Sequence, residues 1–366
     1  MNLYKKHSSK VIVGFLVIFL TTISCKKYPE KTEDVKETET VYASDVIPFF
    51  QHWKLILGDG SNVGIPTNFE NKEYFYTQTE SDDNWVVFKA PNGGNTHGTS
   101  NNTRTELAQL KKWYPKSADE KMTATLKVMN VSATGDETVA ATHSVVVGQI
   151  HSADKHENEP LKIFYKIYPG HTKGAVFWHY EINTKGDDNS GRWDFSTAVW
   201  GHDFSVVGPS ANEVPTEPKD GIALGEEFTY EVEVKDGIMN LIFKSDNHET
   251  KTFTKNLIES EYTTKAEIPQ QTKELFFPIG QDGVERKNAY EGEGCFFKLG
   301  AYNQTNGKLP EVNKNWCSGA ETFNGDVAKQ YETGNYVEVW FKSGSLKISE
   351  NVVSNEGYFS KNDKVK

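Results

Sequence analysis

The feature that most constrains the fold of this chain is a series of short runs in which apolar and polar residues alternate. Such alternation places successive side chains on opposite faces of a strand. Turn signals such as Pro91-Asn92-Gly93-Gly94 separate the runs, and no run keeps a helical period. The pattern predicts an all-β sandwich of two antiparallel sheets. The clearest runs are Trp85–Phe88, Met122–Val131, Ser144–His151, Leu161–Tyr168, Ala175–Ile182, Phe228–Lys235, Met239–Lys244, Phe296–Gln304 and Tyr336–Ile348.

The N-terminus carries the pattern of an export signal. Three lysines precede an apolar run from Val11 to Leu20, which is shorter than a membrane-spanning helix needs. Small residues then lead to Cys25, and this arrangement resembles the bacterial lipobox, in which the cysteine is acylated after cleavage. We therefore predict a lipoprotein-type signal peptide over residues 1–24. Ordinary secretion, with Cys25 removed or unmodified, is the alternative.

The rest of the chain divides by composition. Residues 25–44 are polar and rich in Glu, Lys and Thr, which is typical of a solvated tether after a lipidated Cys25. Residues 45–350 are expected to form one domain, followed by a C-terminal extension over 351–366. The predicted location is the outer membrane or the cell surface. Without the lipid, the protein would be periplasmic or extracellular.

The two other cysteines, Cys295 and Cys317, are predicted to form a disulfide, because an exported protein reaches a compartment that permits such bonds. Two unpaired thiols whose Cβ atoms never approach are the alternative.

The charge of the chain limits its partners. A formal net charge of −11, with no block of basic residues, argues against nucleic acid. It does not exclude an acidic polymer, because a local cleft can be positive on an acidic protein. Arginine is suited to bidentate recognition of carboxylates. The chain has arginine only at Arg104, Arg192 and Arg286, and Arg192 lies in a long irregular stretch over 183–222, so it is a candidate carboxylate clamp.

Three segments each place polar side chains on one face of a strand: RTELAQ (104–109), GQIH (148–151) and FFKLGAYNQ (296–304). Their apolar neighbours point to the other face. If the three faces form one concave surface, a guanidinium, an amide, an imidazole and a phenol converge, and Gly300 leaves room for a sugar ring. The residues predicted to share this face are Arg104, Glu106, Gln149, His151, Lys298, Tyr302 and Gln304.

This set of groups suits the elimination of a uronic acid across C4–C5. Arg104 and Gln149 can donate hydrogen bonds to the carboxylate and stabilise the enolate-like intermediate. His151 or Tyr302 can take the C5 proton, and Tyr302 can protonate the leaving O4. Lys298, Gln304, Glu106 and Arg192 are further candidates for substrate binding. Glu106 is assigned chiefly to a structural ion pair with Arg104, and a solvated loop charge is the alternative for Arg192.

The three segments, in this order, resemble the signature blocks of alginate lyases of polysaccharide lyase family 7. The resemblance extends over residues 45 to 350. It implies a β-jelly roll with a concave cleft, no metal or other cofactor, and cleavage of alginate to products with a 4,5-unsaturated non-reducing-end uronate. It also implies that Arg104 and Gln149 neutralise the carboxylate, that His151 is the base, and that Tyr302 is the acid or both acid and base.

The sequence departs from the family pattern in places. Ala108 stands where a second arginine is common, so one substrate carboxylate lacks its usual partner. The stretches 152–158 and 183–222 are longer than a minimal member needs, which leaves exolytic release of small units open. Ile150 accompanies acceptance of guluronate in the family, which is an association only.

Other functions remain to be weighed. A non-catalytic carbohydrate-binding jelly roll would need no such polar set, and a glycoside hydrolase would need paired carboxylates.

The histidines at 143, 171, 179 and 202 show no metal-ligand spacing and are expected to be structural. The expected partners are alginate or a related polyuronate and, through the lipid alone, a membrane. The protein is expected to act as a monomer.

Overall fold

The computed structural model describes residues 41–47, 49–98, 100–153, 159–182, 193–204, 214–258 and 290–349. Within them the strands form two antiparallel sheets, so the predicted β-sandwich is confirmed. The predicted signal peptide, Cys25 and the C-terminal extension lie outside the described residues. No helix in the described part of the chain is long and apolar enough to cross a membrane.

The first sheet carries the surface on which the candidate site lies. Its strands are β1 (Trp53–Ile56), β2 (Asn62–Gly64), β5 (Arg104–Gln109), β7 (Ser144–Ser152), β8 (Leu161–Lys166), β9 (Lys173–Ile182), β10 (Trp193–Trp200), β11 (Ile222–Ala223) and β15 (Cys295–Asn303). They pair in the order β10-β9-β8-β7-β15-β5-β1-β2, with β11 added beside β9.

The second sheet packs behind the first. Its strands are β3 (Phe75–Glu80), β4 (Asp83–Pro91), β6 (Asp119–Asn130), β12 (Phe228–Lys235), β13 (Ile238–Ser245), β14 (His248–Asn256), β16 (Tyr336–Lys342) and β17 (Lys347–Ile348). Their order is β14-β13-β12-β6-β16-β4-β3, with β17 beside β6. The described helices are α1 (Ala43–Val46) and α2 (Val327–Glu332), with 3₁₀ turns at Phe50–His52, Pro115–Ser117, Phe323–Gly325 and Ser343–Ser345.

The core lies between the sheets and is built from the apolar half of each alternating strand. Leu107, Ile150 and Phe297 of the first sheet belong to one buried cluster with Phe88 and Phe341 of the second. Burying such a side chain contributes about 1.5–3 kcal/mol. Alternation therefore fixes which side chains of β5, β7 and β15 are left for the opposite face.

Two β-bulges modify the simple alternation near the candidate site. The register shifts between Val146 and Gly148 where β7 pairs with β8, and between Leu299 and Tyr302 where β15 pairs with β7. Gly300 lies in the second bulge with φ +147°, and a Cβ there would lie 2.3 Å from the carbonyl oxygen of Thr105. The glycine is thus required by the approach of β5, and the expectation that it makes room for a sugar is wrong.

The predicted disulfide between Cys295 and Cys317 is also wrong, since the two buried cysteines are not bonded to each other. Cys295 begins β15, whereas Cys317 follows Trp316, whose carbonyl accepts a hydrogen bond from Asn306 just beyond the other end of that strand. The strand between them is about 26 Å long at the usual rise per residue. A disulfide requires Cα atoms within about 7 Å.

Candidate active site

A cleft of about 630 Å³ lies on the outer face of the first sheet. The central strands β15, β5 and β7 form its floor, and the register places Tyr302 opposite Arg104 and Lys298 opposite Gln149. Arg104, His151, Lys298, Tyr302 and Gln304 all line this one cleft. The structure therefore brings together in the cleft five of the seven polar side chains that the alternation assigned to one face.

Glu106 lies beneath the cleft and holds three of these side chains. Its carboxylate is 2.7 Å from the Lys298 ammonium and 3.3 Å from the Arg104 guanidinium, and it accepts a hydrogen bond from the Gln149 amide. Glu106 and Gln149 are fully buried, and neither lines the cleft. The ion pair with Arg104 that the sequence suggested is thus part of a larger buried network.

The network shifts the pKa values of its members. Burial alone would raise the pKa of Glu106, but the charges of Lys298 and Arg104 outweigh it, and the pKa lies below its ordinary value. Burial lowers the pKa of Lys298 to about 8, with Arg104 acting in the same direction and Glu106 opposing it. Glu106 is therefore ionised at neutral pH. Lys298 is mostly protonated at pH 7 and loses its proton as the pH rises through about 8.

Arg104 stacks on Tyr302. The guanidinium carbon lies 3.7 Å from the centre of the Tyr302 ring, and Nη2 donates a hydrogen bond to the Ser100 hydroxyl at 2.7 Å. A guanidinium over a phenol ring is a favourable cation–π arrangement. The pair places a fixed positive charge directly beside the predicted acid.

His151 faces the cleft as a neutral imidazole. Its Nδ1 donates a hydrogen bond to the Ser152 carbonyl at 2.6 Å, and its Nε2 lies 3.3 Å from a Glu159 carboxylate oxygen. Burial, helped by the charges of Lys298 and Arg104, lowers the pKa of His151 to about 4 despite the opposing effect of Glu159. With the proton held on Nδ1, Nε2 is the nitrogen available to accept another.

Comparison with known proteins identifies the family of this chain. The sequence profile of the family described as Alginate lyase matches residues 47–348. The chain belongs to the alginate lyase family.

Individual relatives agree with this assignment. The exolytic PL7 alginate lyase AlyA5 from Zobellia galactanivorans is 58% identical, with a TM-score of 0.74 over 84% of this chain and 97% of that chain. An alginate lyase from Klebsiella pneumoniae is 25% identical over 277 residues, which are 68% of this chain and 76% of the relative. The crystal structure of the Klebsiella pneumoniae alginate lyase has a TM-score of 0.57 at 20% identity, over 84% of this chain and 98% of that chain, and supports the fold alone.

A second charged network lies at the end of the cleft next to His151. The sequence analysis did not predict it. Glu159, which contacts His151, also pairs with Lys162 at 2.9 Å, and Lys162 reaches Glu181 at 3.1 Å. Lys162 alternates with Leu161 and Ile163 in β8, a strand that is buried throughout. A lysine between two buried apolar residues of the strand was the available signal.

Two loops form a wall at the edge of the sheet where β5 begins and β15 ends. The Asn306 amide donates to the Asn102 side-chain carbonyl at 2.9 Å, and Asn102 donates to the carbonyl of Asn303 at 2.8 Å. The Lys308 ammonium also donates to Asn101. Trp316 lines the cleft from the second of these loops. Nothing in the alternation pattern identified these residues, because they lie in loops.

The cleft is positively charged although the chain is acidic. Lys54, Arg104, Lys162, Lys298 and Lys308 line it, and among the described lining residues Glu159 is the single carboxylate. Such a concentration of one sign of charge attracts an anionic ligand.

The remaining candidates lie elsewhere. Arg192 is outside the described residues. His143 bonds through Nδ1 to the Ser132 carbonyl, and His179 lies between Asp194 and the carbonyl of Phe204. Both are buried and satisfy local partners. No group of three or more metal-ligating side chains occurs in the part of the chain that the structure covers.

Proposed function

We propose that this protein is an alginate lyase that cleaves the 1,4-glycosidic bond of polyuronates by β-elimination. The product would carry a 4,5-unsaturated uronate at its new non-reducing end. One observation carries the proposal: Arg104, His151 and Tyr302 share one face of a cation-lined cleft in a chain that belongs to the alginate lyase family.

The first requirement of the reaction is to acidify the C5 proton. That proton is a very weak acid while the neighbouring carboxylate keeps its negative charge. Arg104 and Lys298, both lining the cleft, would bind the carboxylate and stabilise the negative charge that develops on it. Gln149 lies opposite Lys298 on the neighbouring strand β7. Its amide has a second hydrogen besides the one that it donates to Glu106. We assign Glu106 the role of a positioning residue, because its buried carboxylate contacts all three donors.

The second requirement is a base and an acid. His151 Nε2 or the Tyr302 oxygen takes the C5 proton, the C–H electron pair forms the C4–C5 double bond, and the C4–O4 bond breaks. Tyr302 donates a proton to the departing O4. The neutral state of His151 suits a base, and the guanidinium stacked on Tyr302 stabilises a phenolate when one forms. Either residue fits the role of the base.

The charge of the cleft favours this function over the alternatives. Among the residues that the structure describes, five cationic side chains and one carboxylate line it. A glycoside hydrolase needs two carboxyl groups flanking the scissile bond. A sugar-binding module needs no buried network that aims cations and an imidazole at one point.

We further propose that cleavage is exolytic, because the chain is 58% identical to the exolytic alginate lyase AlyA5 over nearly the whole length of that protein. Product sizes over time on defined alginate blocks test this. Small products from the first minutes, with a slow fall in viscosity, support exolysis, and early mixtures of long oligomers contradict it.

The location of the protein is a separate proposal. The basic start, the apolar run and Cys25 support export followed by lipid anchoring, with the catalytic domain acting as a monomer outside the cytoplasm. Partition of the wild-type protein into membranes, lost in Cys25→Ser, supports the anchor. Equal release of both proteins into the soluble fraction contradicts it.

The ultraviolet absorbance of the conjugated uronate tests the reaction itself. Incubation with alginate should raise this absorbance in step with the number of new chain ends. New reducing ends without absorbance indicate a hydrolase, and binding without either signal indicates a carbohydrate-binding module.

A further inference from the structure

Four residues in register form a row across four neighbouring strands, and three of them line the cleft. Lys298 lies opposite Gln149 of β7 on one side and opposite Ala108 of β5 on the other. Ala108 in turn lies opposite Lys54 of β1. The row therefore runs amide, ammonium, methyl, ammonium across four neighbouring strands.

Lys298 and Lys54 lie two strands apart at the same level of the sheet. Neighbouring strands are about 4.8 Å apart, so the backbones of Lys298 and Lys54 are separated by about 10 Å. Only the methyl group of Ala108 lies between them, and both lysines line the cleft. A sugar can thus lie over Ala108 while the cations reach it from both sides.

Lys54 occupies a partly dehydrated position close to His97. Burial lowers the pKa of Lys54 below its ordinary value, and burial together with the charge of Lys54 lowers the pKa of His97, which lines the same cleft. The carboxylate that lines the cleft, Glu159, precedes β8 and lies on the far side of β7 from β1. The β1 side of the cleft is therefore positive.

We propose that Lys54 binds the carboxylate of a second uronate, next to the sugar held at Arg104 and Lys298. The polymer then lies across the strands, along the row from β7 to β1. This inference rests on the proposed function, since it takes the ligand to be a polyuronate with one carboxylate on each sugar. Lysine suits the role because a flexible ammonium acts as a point charge that tolerates several approach angles.

Steady-state kinetics on alginate test the proposal. In Lys54→Ala the KM should rise about tenfold while kcat stays within about twofold, because a charged contact made equally in ground and transition states changes KM alone. Lys54→Arg should keep a KM within about threefold of the wild type. Lys235→Ala, at a surface lysine of β12 that is 57% exposed, is the control and should leave both constants unchanged.

A double variant separates a binding role from a structural one. In Lys54→Ala/Ala108→Arg a cation returns to the same row from the neighbouring strand, and KM should fall back toward the wild-type value. A merely structural lysine would not be rescued in this way. Calorimetric binding of an alginate trisaccharide to Tyr302→Phe, with and without Lys54→Ala, should show the same tenfold difference.

The outcomes distinguish this inference from the proposed function. If the wild type forms unsaturated products but Lys54→Ala has an unchanged KM and trisaccharide affinity, only the role of Lys54 is refuted. A loss confined to kcat also refutes it. If the wild type produces no ultraviolet absorbance on alginate, the proposed function itself fails.

Discussion

Replacing Glu106 by Gln should lower both the free energy of unfolding and the activity of the protein. The substitution keeps the shape of the side chain and removes its charge. Lys298 at 2.7 Å and Arg104 at 3.3 Å then face each other without the carboxylate between them. With an effective dielectric constant of about 20, the lost attractions are about 6 and about 5 kcal/mol.

The net effect is smaller, because the buried carboxylate no longer has to be dehydrated. That cost is several kcal/mol, so we expect the free energy of unfolding to fall by about 3–5 kcal/mol. For a domain of this size the fall corresponds to a decrease in Tm of roughly 6–15 °C. The kcat/KM on alginate should fall by at least about 100-fold, because Arg104 and Lys298 are no longer held in place.

Thermal unfolding and the ultraviolet assay measure the two effects. Glu120→Gln is the matched control, since Glu120 is another buried carboxylate that pairs with a single lysine, Lys111, away from the cleft. Because burial raises the pKa of Glu120, the loss of its charge should cost little stability, and the control should keep its kcat/KM. A Glu106→Gln protein with wild-type Tm and activity would refute the view that this carboxylate organises the site.

Four further predictions concern the cleft. Tyr302→Phe and His151→Ala should each abolish turnover while sparing trisaccharide binding; wild-type rates in either would remove that residue from the mechanism. Arg104→Ala should lower kcat/KM more than Lys298→Ala, and the reverse order would contradict the carboxylate assignment. Because the pKa of His151 is about 4 and that of Lys298 about 8, kcat/KM should stay flat from pH 7 to 5 and fall above pH 8; an acid limb near 6.5 would contradict a buried, neutral His151. The unfolded state protonates His151 first on acidification, so the free energy of unfolding should fall between about pH 6.5 and 4, and less so in His151→Ala.

The sequence predicted the side chains that β5, β7 and β15 contribute to the outer face of the first sheet, because alternation in these strands is dictated by burial of Leu107, Ile150 and Phe297 against the second sheet. A one-residue error in register would have turned every polar side chain inward. The strong apolar pattern of these strands disfavours such a shift in register, because the shift would expose their apolar side chains.

The rest of the site depended on contacts between segments far apart in the chain. The bulges in β7 and β15 depend on how the neighbouring strands pair. Position 300 requires glycine because the carbonyl oxygen of Thr105 leaves no room for a Cβ atom. Lys54 lies in a four-residue strand, and only its pairing with Ala108 places it in the cleft. The disulfide prediction failed for the same reason, since the sequence shows the strand that follows Cys295 but not where the loop after that strand places Cys317.

A crystal structure of Tyr302→Phe with an alginate oligosaccharide would test the central claim most directly. The account predicts one uronate with its carboxylate within hydrogen-bonding distance of Arg104 and its C5 within about 3.5 Å of His151 Nε2 or of the position of the missing hydroxyl. A sugar bound with its carboxylate turned away from Arg104, or bound outside the cleft of the first sheet, would contradict it.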